Sequence, residues 1–187
     1  MKQRDAAKAP DMAGLHDAAM AHLARYATTQ AGLARVLDRR VERWARATGA
    51  EAETVAQARA AVRAVVARLV AAGLVDDAAF AASRARRLTQ GGRSRRAVAA
   101  HLAARGVAGD AVRAALPEDG QTELAAAAAF VRRRRIGPFR AGVADAEGAL
   151  RELAMMARAG FDRETAIRAL GLDAAAAEDL VIGLRRA

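Results

Sequence analysis

The sequence predicts an all-α protein built as a small array of helical units, and three observations predict it. Alanine takes 56 of the 187 positions, aromatic residues make up 3% and proline occurs three times, a composition that suits helices far better than strands. Apolar residues recur at Val62, Val65, Val66, Leu69 and Val70, the spacing of one continuous helix face. Finally, Gly106-Val107 with Leu116 ten residues after the glycine is matched by Gly160-Phe161 with Leu170, an offset of 54. A helical unit of about 50 residues repeated about three times stacks each unit on its neighbours. Only about 43 apolar residues are larger than alanine, so the core must be thin and distributed.

Taken in order, residues 1–12 carry charge without an apolar run, and Pro10 and Asp11 interrupt any helix. They read as a mobile N-terminal tail. A helix over 16–27 is served by Leu15, Leu23 and Tyr26. A second over 31–47 has Thr28 or Thr29 as its cap and Leu33, Val36, Leu37, Val41 and Trp44 on its inner face. Tyr26 and Trp44, spaced with aliphatics, read as core and not as base-stacking platforms. The Val62 stripe belongs to a helix over 55–72 that Gly73 ends in the left-handed conformation, with Leu74 and Val75 leading on. Asp76 or Asp77 then caps a helix running through Phe80 to about Leu88, and this cap is the reading preferred to an acid/base or metal pair.

The two matched segments share one grammar. A basic, alanine-rich helix (97–105 and 150–159) ends at Gly106 or Gly160, a single large apolar residue packs the turn, and a short helix follows. The first third ends in a variant of this, Gly73 then Leu74. Breaks at 89–92, 117–120 and 136–142 are too short to be flexible tethers. The implied division is a tail (1–12) and three helical units (13–74, 75–117 and 118–187).

Little in the chain supports catalysis. The absence of cysteine excludes disulfides, a thiolate metal site and a cysteine nucleophile. His16 and His22 are six apart, on opposite sides of a helix, and cannot share a metal as an i, i+4 pair would. No HExxH, Walker lysine or GxSxG motif occurs. Neither an enzymatic activity nor a cofactor or metal is therefore expected. No run of 18 apolar residues and no apolar segment near the N-terminus occurs, which predicts a cytoplasmic protein with no membrane contact.

Charge is the informative feature. The net charge is +10. Between Arg84 and Arg105 lie seven arginines (84, 86, 87, 93, 95, 96 and 105) and no acid; between 125 and 144 lie Arg132, Arg133, Arg134, Arg135 and Arg140, again with no acid. Blocks of a single sign suggest an anionic partner. The competing reading is coding bias, because 29 of the 31 basic residues are arginine. Arg84 falls between Phe80 and Leu88 on a helical wheel, where pairing with Asp77 is the alternative to partner contact.

The run from Leu69 through Gly73-Leu74-Val75-Asp76-Asp77 to Phe80, then Arg84, Gly91-Gly92-Arg93-Ser94-Arg95-Arg96, Leu102 and Arg105-Gly106-Val107 resembles the RecX regulators of the RecA recombinase. Tyr26 through Thr29, with Leu33 and Leu37, resembles that family's first unit, and 156–170 its last, so the resemblance covers nearly the whole chain after residue 15. The segment 38–53 departs from it by its length. The resemblance implies an elongated, curved array of three tandem three-helix units, monomeric and without enzymatic activity. It further implies binding to the RecA filament on single-stranded DNA and inhibition of recombinase and coprotease activity, which places the chain in the regulation of DNA repair, recombination and the SOS response.

Candidate partner or DNA contacts are Arg84, Arg87, Arg93, Arg95, Arg96, Arg105, Arg132, Arg133, Arg134, Arg135 and Arg140. Gly73, Asp76, Asp77, Phe80, Gly106 and Gly160 are expected to be structural. Two alternatives stay open: a direct DNA-binding module using 95–105 as a recognition helix, and a helical adaptor for another acidic protein.

Overall fold

The computed structural model describes residues 9–116, 118–142 and 145–186, and among these it contains ten α-helices, one 3-10 turn and no strand. Most of the expected tail, residues 1–8, lies outside the described residues. The described chain forms two bodies, one of residues up to Phe80 with Arg105–Val107, the other of the remainder, and the division falls within one helix.

The first body holds α1 (Met12–Leu23), α2 (Gln30–Thr48) and α3 (Ala52–Ala71). Asp11 does not interrupt α1 but caps it: its Oδ1 accepts the Gly14 amide at 2.9 Å, so the helix begins four residues before the expected start. It also ends at Leu23, which leaves Tyr26 outside the helix and 57% exposed. The expectation that Tyr26 is core is overturned; its ring instead sits 5.2 Å from that of His22. Trp44 is half-buried against a core of Leu15, Leu33, Leu37, Val41, Val62, Val65 and Leu69. The long segment 38–53 is the second half of α2, a left-handed Gly49 (φ 65°) and the start of α3, with Glu42 reaching both Arg46 and Arg59.

At the end of α3 the Leu74 amide bonds the Leu69 carbonyl while Gly73 adopts φ 71°, the Schellman arrangement that returns the last carbonyls to a donor. The turn leaves Leu74 half-exposed and buries Val75 in its place. Asp76 and Asp77 divide two helix starts between them. Asp76 Oδ1 accepts the amides of Ala78 and Ala79, capping α4 (Asp77–Gln90), and Asp77 Oδ1 accepts the Gln30 amide of α2 at 2.7 Å.

The second body contains the rest of α4, then α5 (Arg95–Ala104), α6 (Gly109–Ala115), α7 (Gly120–Arg134), a 3-10 turn (Gly137–Phe139), α8 (Ala146–Arg158), α9 (Arg163–Gly171) and α10 (Ala174–Arg186). Its centre is α7, buried without a break from Leu124 to Val131. The run of five alanines lets α9 and α10 approach the α7 backbone closely. Phe130 meets Phe161 edge-on at 5.6 Å in a core with Val131, Ile136 and Met156. Helix α10 is one more than three units of three require, and it seats Ala177 and Val181 on Ala128 and Ala129.

One joint occurs twice. Thr29, the N-cap of α2, accepts the Gly32 amide at 2.9 Å and donates its hydroxyl to the Arg105 carbonyl at 2.7 Å. Ser94 accepts the Ala97 amide at 3.2 Å and donates to the Ala159 carbonyl at 2.7 Å. In each case the residue after that carbonyl is a left-handed glycine, Gly106 (φ 83°) or Gly160 (φ 92°). A Cβ there would lie 2.4 Å from the Ala31 Cβ or 2.6 Å from the Ser94 Oγ. The glycine match read in the sequence therefore has one physical cause at both positions: a helix end brought against a hydroxyl cap.

Candidate partner-binding surface

The arginines of the two basic blocks divide by what they touch. Four bond an ionisable side chain elsewhere in the second body. Arg84 donates from Nε to His101 Nε2 at 3.1 Å, and not to Asp77. Arg95 donates to the Leu116 carbonyl and to Glu118, both at 3.1 Å, while its amide bonds Glu123. Arg132 pairs with Glu178 at 2.6 Å. Arg140 is joined to Glu152, which also accepts the Gly137 amide and so ties the 3-10 turn to α8. These guanidiniums are engaged in holding elements together.

The rest face solvent. Arg86, Arg87, Arg93, Arg96, Arg105, Arg133, Arg134 and Arg135 are exposed, and none makes an ion pair among the described residues. Arg133 donates to the Gly91 carbonyl, and Arg133 and Arg134 lay their guanidiniums 5.7 and 5.6 Å from the centre of the Phe130 ring, within cation–π range. Arg135 closes α7 at φ 55° and is the one described non-glycine residue with positive φ. Glycine would sit there more easily by about 1 kcal/mol. Of the residues expected to be structural, Asp76, Asp77, Gly73, Gly106 and Gly160 occupy the turns described above, and Phe80 is half-buried.

Around these helix starts the carboxylates are specialised. Hydrogen bonds from Thr165 hold Asp162 below the ordinary aspartate range, and those from Thr122 and Gln121 do the same for Asp119. Burial pushes Glu123 up, against the Arg95 amide that favours its charge. Glu123, Asp119, Glu118 and Asp162 line an open concavity of about 790 Å³ together with Arg95, Arg96 and Arg113. Its mixed charge makes it a poor receptor for an anion. No group of three His, Asp or Glu among the described residues could hold a metal, and no helix is long and apolar enough to cross a membrane.

The chain resembles known proteins over the segments that build these turns. Residues 76–116 match the family model for the second three-helix domain of RecX. The chain is 40% identical over 151 residues to the Regulatory protein RecX of Myxococcus xanthus (strain DK1622), covering 79% of each chain. The chain belongs to the RecX family. The matched segment runs from the Asp76 cap through Ser94 and the left-handed Gly106 to Leu116.

Sequence reasoning missed two features of this surface. Arg158, in the last turn of α8, belongs with the free arginines but lies outside both acid-free blocks in the sequence. The other is the set of acids that engage Arg95, Arg132 and Arg140, which come from 12 to 46 residues away. The only available signal for Arg158 was a basic residue at a helix C-terminus, which is too common to single it out.

Proposed function

We propose that this RecX protein is a non-enzymatic, cytoplasmic regulator that binds the RecA filament on single-stranded DNA as a monomer and inhibits its recombinase and coprotease activities. Membership of the RecX family carries the reading. The physics supports it: solvent-facing arginines without intramolecular acids suit a surface of acidic protein and phosphate. Division into three tandem helical units, bounded near residues 74 and 117, is part of the same proposal, since tandem repeats can offer a long contact surface. Because Arg84, Arg95, Arg132 and Arg140 bond ionisable side chains within the fold, contact falls to Arg87, Arg93, Arg96, Arg105, Arg133, Arg134 and Arg135. Engagement of Arg95 within the fold also argues against α5 as a free-standing recognition helix.

The test adds purified protein in several-fold molar excess to RecA on single-stranded DNA at low salt. DNA-dependent ATP hydrolysis and strand exchange are expected to fall. Unchanged rates would refute the reading. Binding to bare and to RecA-coated DNA across a salt series separates it from a simple DNA-binding module, which would show no preference for the filament.

A further inference from the structure

Three segments of the second body converge on one cleft of about 330 Å³: the turn at 91–94, the last turn of α7 and the last turn of α8. They place Arg93, Arg133, Arg134 and Arg158 around it, with no carboxylate in the lining. The convergence is built into the fold. Gly92 (φ 75°) lies so close to α7 that a Cβ would stand 2.7 Å from the Phe130 amide nitrogen, so the turn carrying Arg93 rests directly on the helix backbone. Ser94 holds the Ala159 carbonyl, which fixes the end of α8 and with it Arg158.

From this arrangement we infer that the cleft is a binding site for the phosphodiester backbone of single-stranded nucleic acid, one that contacts phosphates and reads no bases. The simplest competing explanation, that these arginines only balance helix dipoles, falls short by arithmetic. Two helix C-termini contribute roughly one negative charge between them, against four guanidiniums with no ion pair among the described residues. About three positive charges remain for a ligand. Guanidinium forks match phosphate oxygens in pairs. Stacking of bases is excluded by the floor of the cleft, because Phe130 is 5% exposed and already covered by Arg133 and Arg134.

The inference rests on the filament reading only for where such a strand would be met. It is tested on bare, labelled oligo-dT by fluorescence anisotropy between 0.05 and about 0.5 M salt. Arg134→Gln/Arg158→Gln is compared with Arg39→Gln/Arg63→Gln, which removes equal charge from exposed positions on α2 and α3. Each lost phosphate contact to a single strand lowers the slope of log K against log salt by about 0.7. The first pair should therefore lose about 1.4 in slope and bind about 25-fold more weakly at 0.1 M salt, with the helical circular dichroism at 25 °C unchanged, and oligo-dA should bind within about twofold of oligo-dT. Equal losses from the two pairs, a marked base preference, or displacement of the oligonucleotide by polyglutamate at matched charge would each overturn it. Inhibition of RecA by the wild-type chain is read separately: its absence defeats the filament reading alone, and an unchanged salt slope defeats the cleft alone.

Discussion

Replacing Ser94 by alanine removes both halves of the joint between the turn at 91–94 and the end of α8. The hydroxyl accepts the Ala97 amide and donates to the Ala159 carbonyl, and Ser94 is fully buried. Loss of an N-cap costs about 1 kcal/mol. A carbonyl deprived of a buried donor costs a further 1–3 kcal/mol or so. The expected destabilisation is about 2–4 kcal/mol, which for a chain of this size lowers the melting temperature by about 5–15 °C. Circular dichroism at 222 nm, by heat and by urea, measures it, and Ser94→Thr, which keeps the hydroxyl, should recover part of the loss. Gly160→Ala should destabilise too, through its positive φ and the crowding of the Ser94 Oγ. If Ser94→Ala stayed within about 0.5 kcal/mol of wild type, the joint would not be holding α8, and the placement of Arg158 would lose its explanation.

Other outcomes follow from the same geometry. Arg95→Glu should lower the melting temperature, because it breaks bonds to Leu116 and Glu118 and sets an acid beside Glu123, whereas Arg96→Glu and Arg105→Glu should leave it nearly unchanged; equal effects at all three would contradict the division of the arginines. Phe80→Ala should cost about 1.5–2.5 kcal/mol and not the 3–5 kcal/mol of a fully buried ring, since Phe80 is half-buried; urea unfolding decides. Glu123 has a raised pKa in the folded state, so its contribution to stability falls as pH rises above about 4.5. Glu123→Gln should therefore gain on wild type as pH rises above about 4.5, and a difference in melting temperature independent of pH would count against the burial. Asp162 has a lowered pKa and acts with the opposite sign: its stabilisation is complete above the ordinary aspartate value of 3.8 and is lost as pH falls below it. Asp162→Ala should narrow its deficit relative to wild type on acidification below that value.

Much of the fold was legible because it is written in short-range chemistry. Glycines at 73, 106 and 160, the Thr29 and Asp76 caps and the stripe of Val62, Val65, Val66 and Leu69 each act within a turn or two of themselves, and each appears where that chemistry places it, whereas Val70, expected on the same face, is exposed. Errors arose where one residue type serves opposite local purposes. Asp11 could end a helix or begin one, and its hydrogen bond to Gly14 began it, which moved α1 toward the N-terminus and left Tyr26 outside. Leu74 and Val75 are both apolar and adjacent; only the direction of the Schellman turn chose Val75 for burial.

The sequence by itself determined the helical class, the capped and glycine-ended turns and the amount of positive charge, because alanine content, caps and left-handed glycines act through the local backbone. Which arginines are free was decided by tertiary structure alone. Arg132 and Arg133 are neighbours in the chain, yet one meets Glu178 across 46 residues and the other points into a cleft with Arg93 and Arg158. A charge in the sequence has a sign but no partner. Its partner depends on which distant helix the core brings within about 4 Å, and around α7 that is settled by the close packing of a run of alanines.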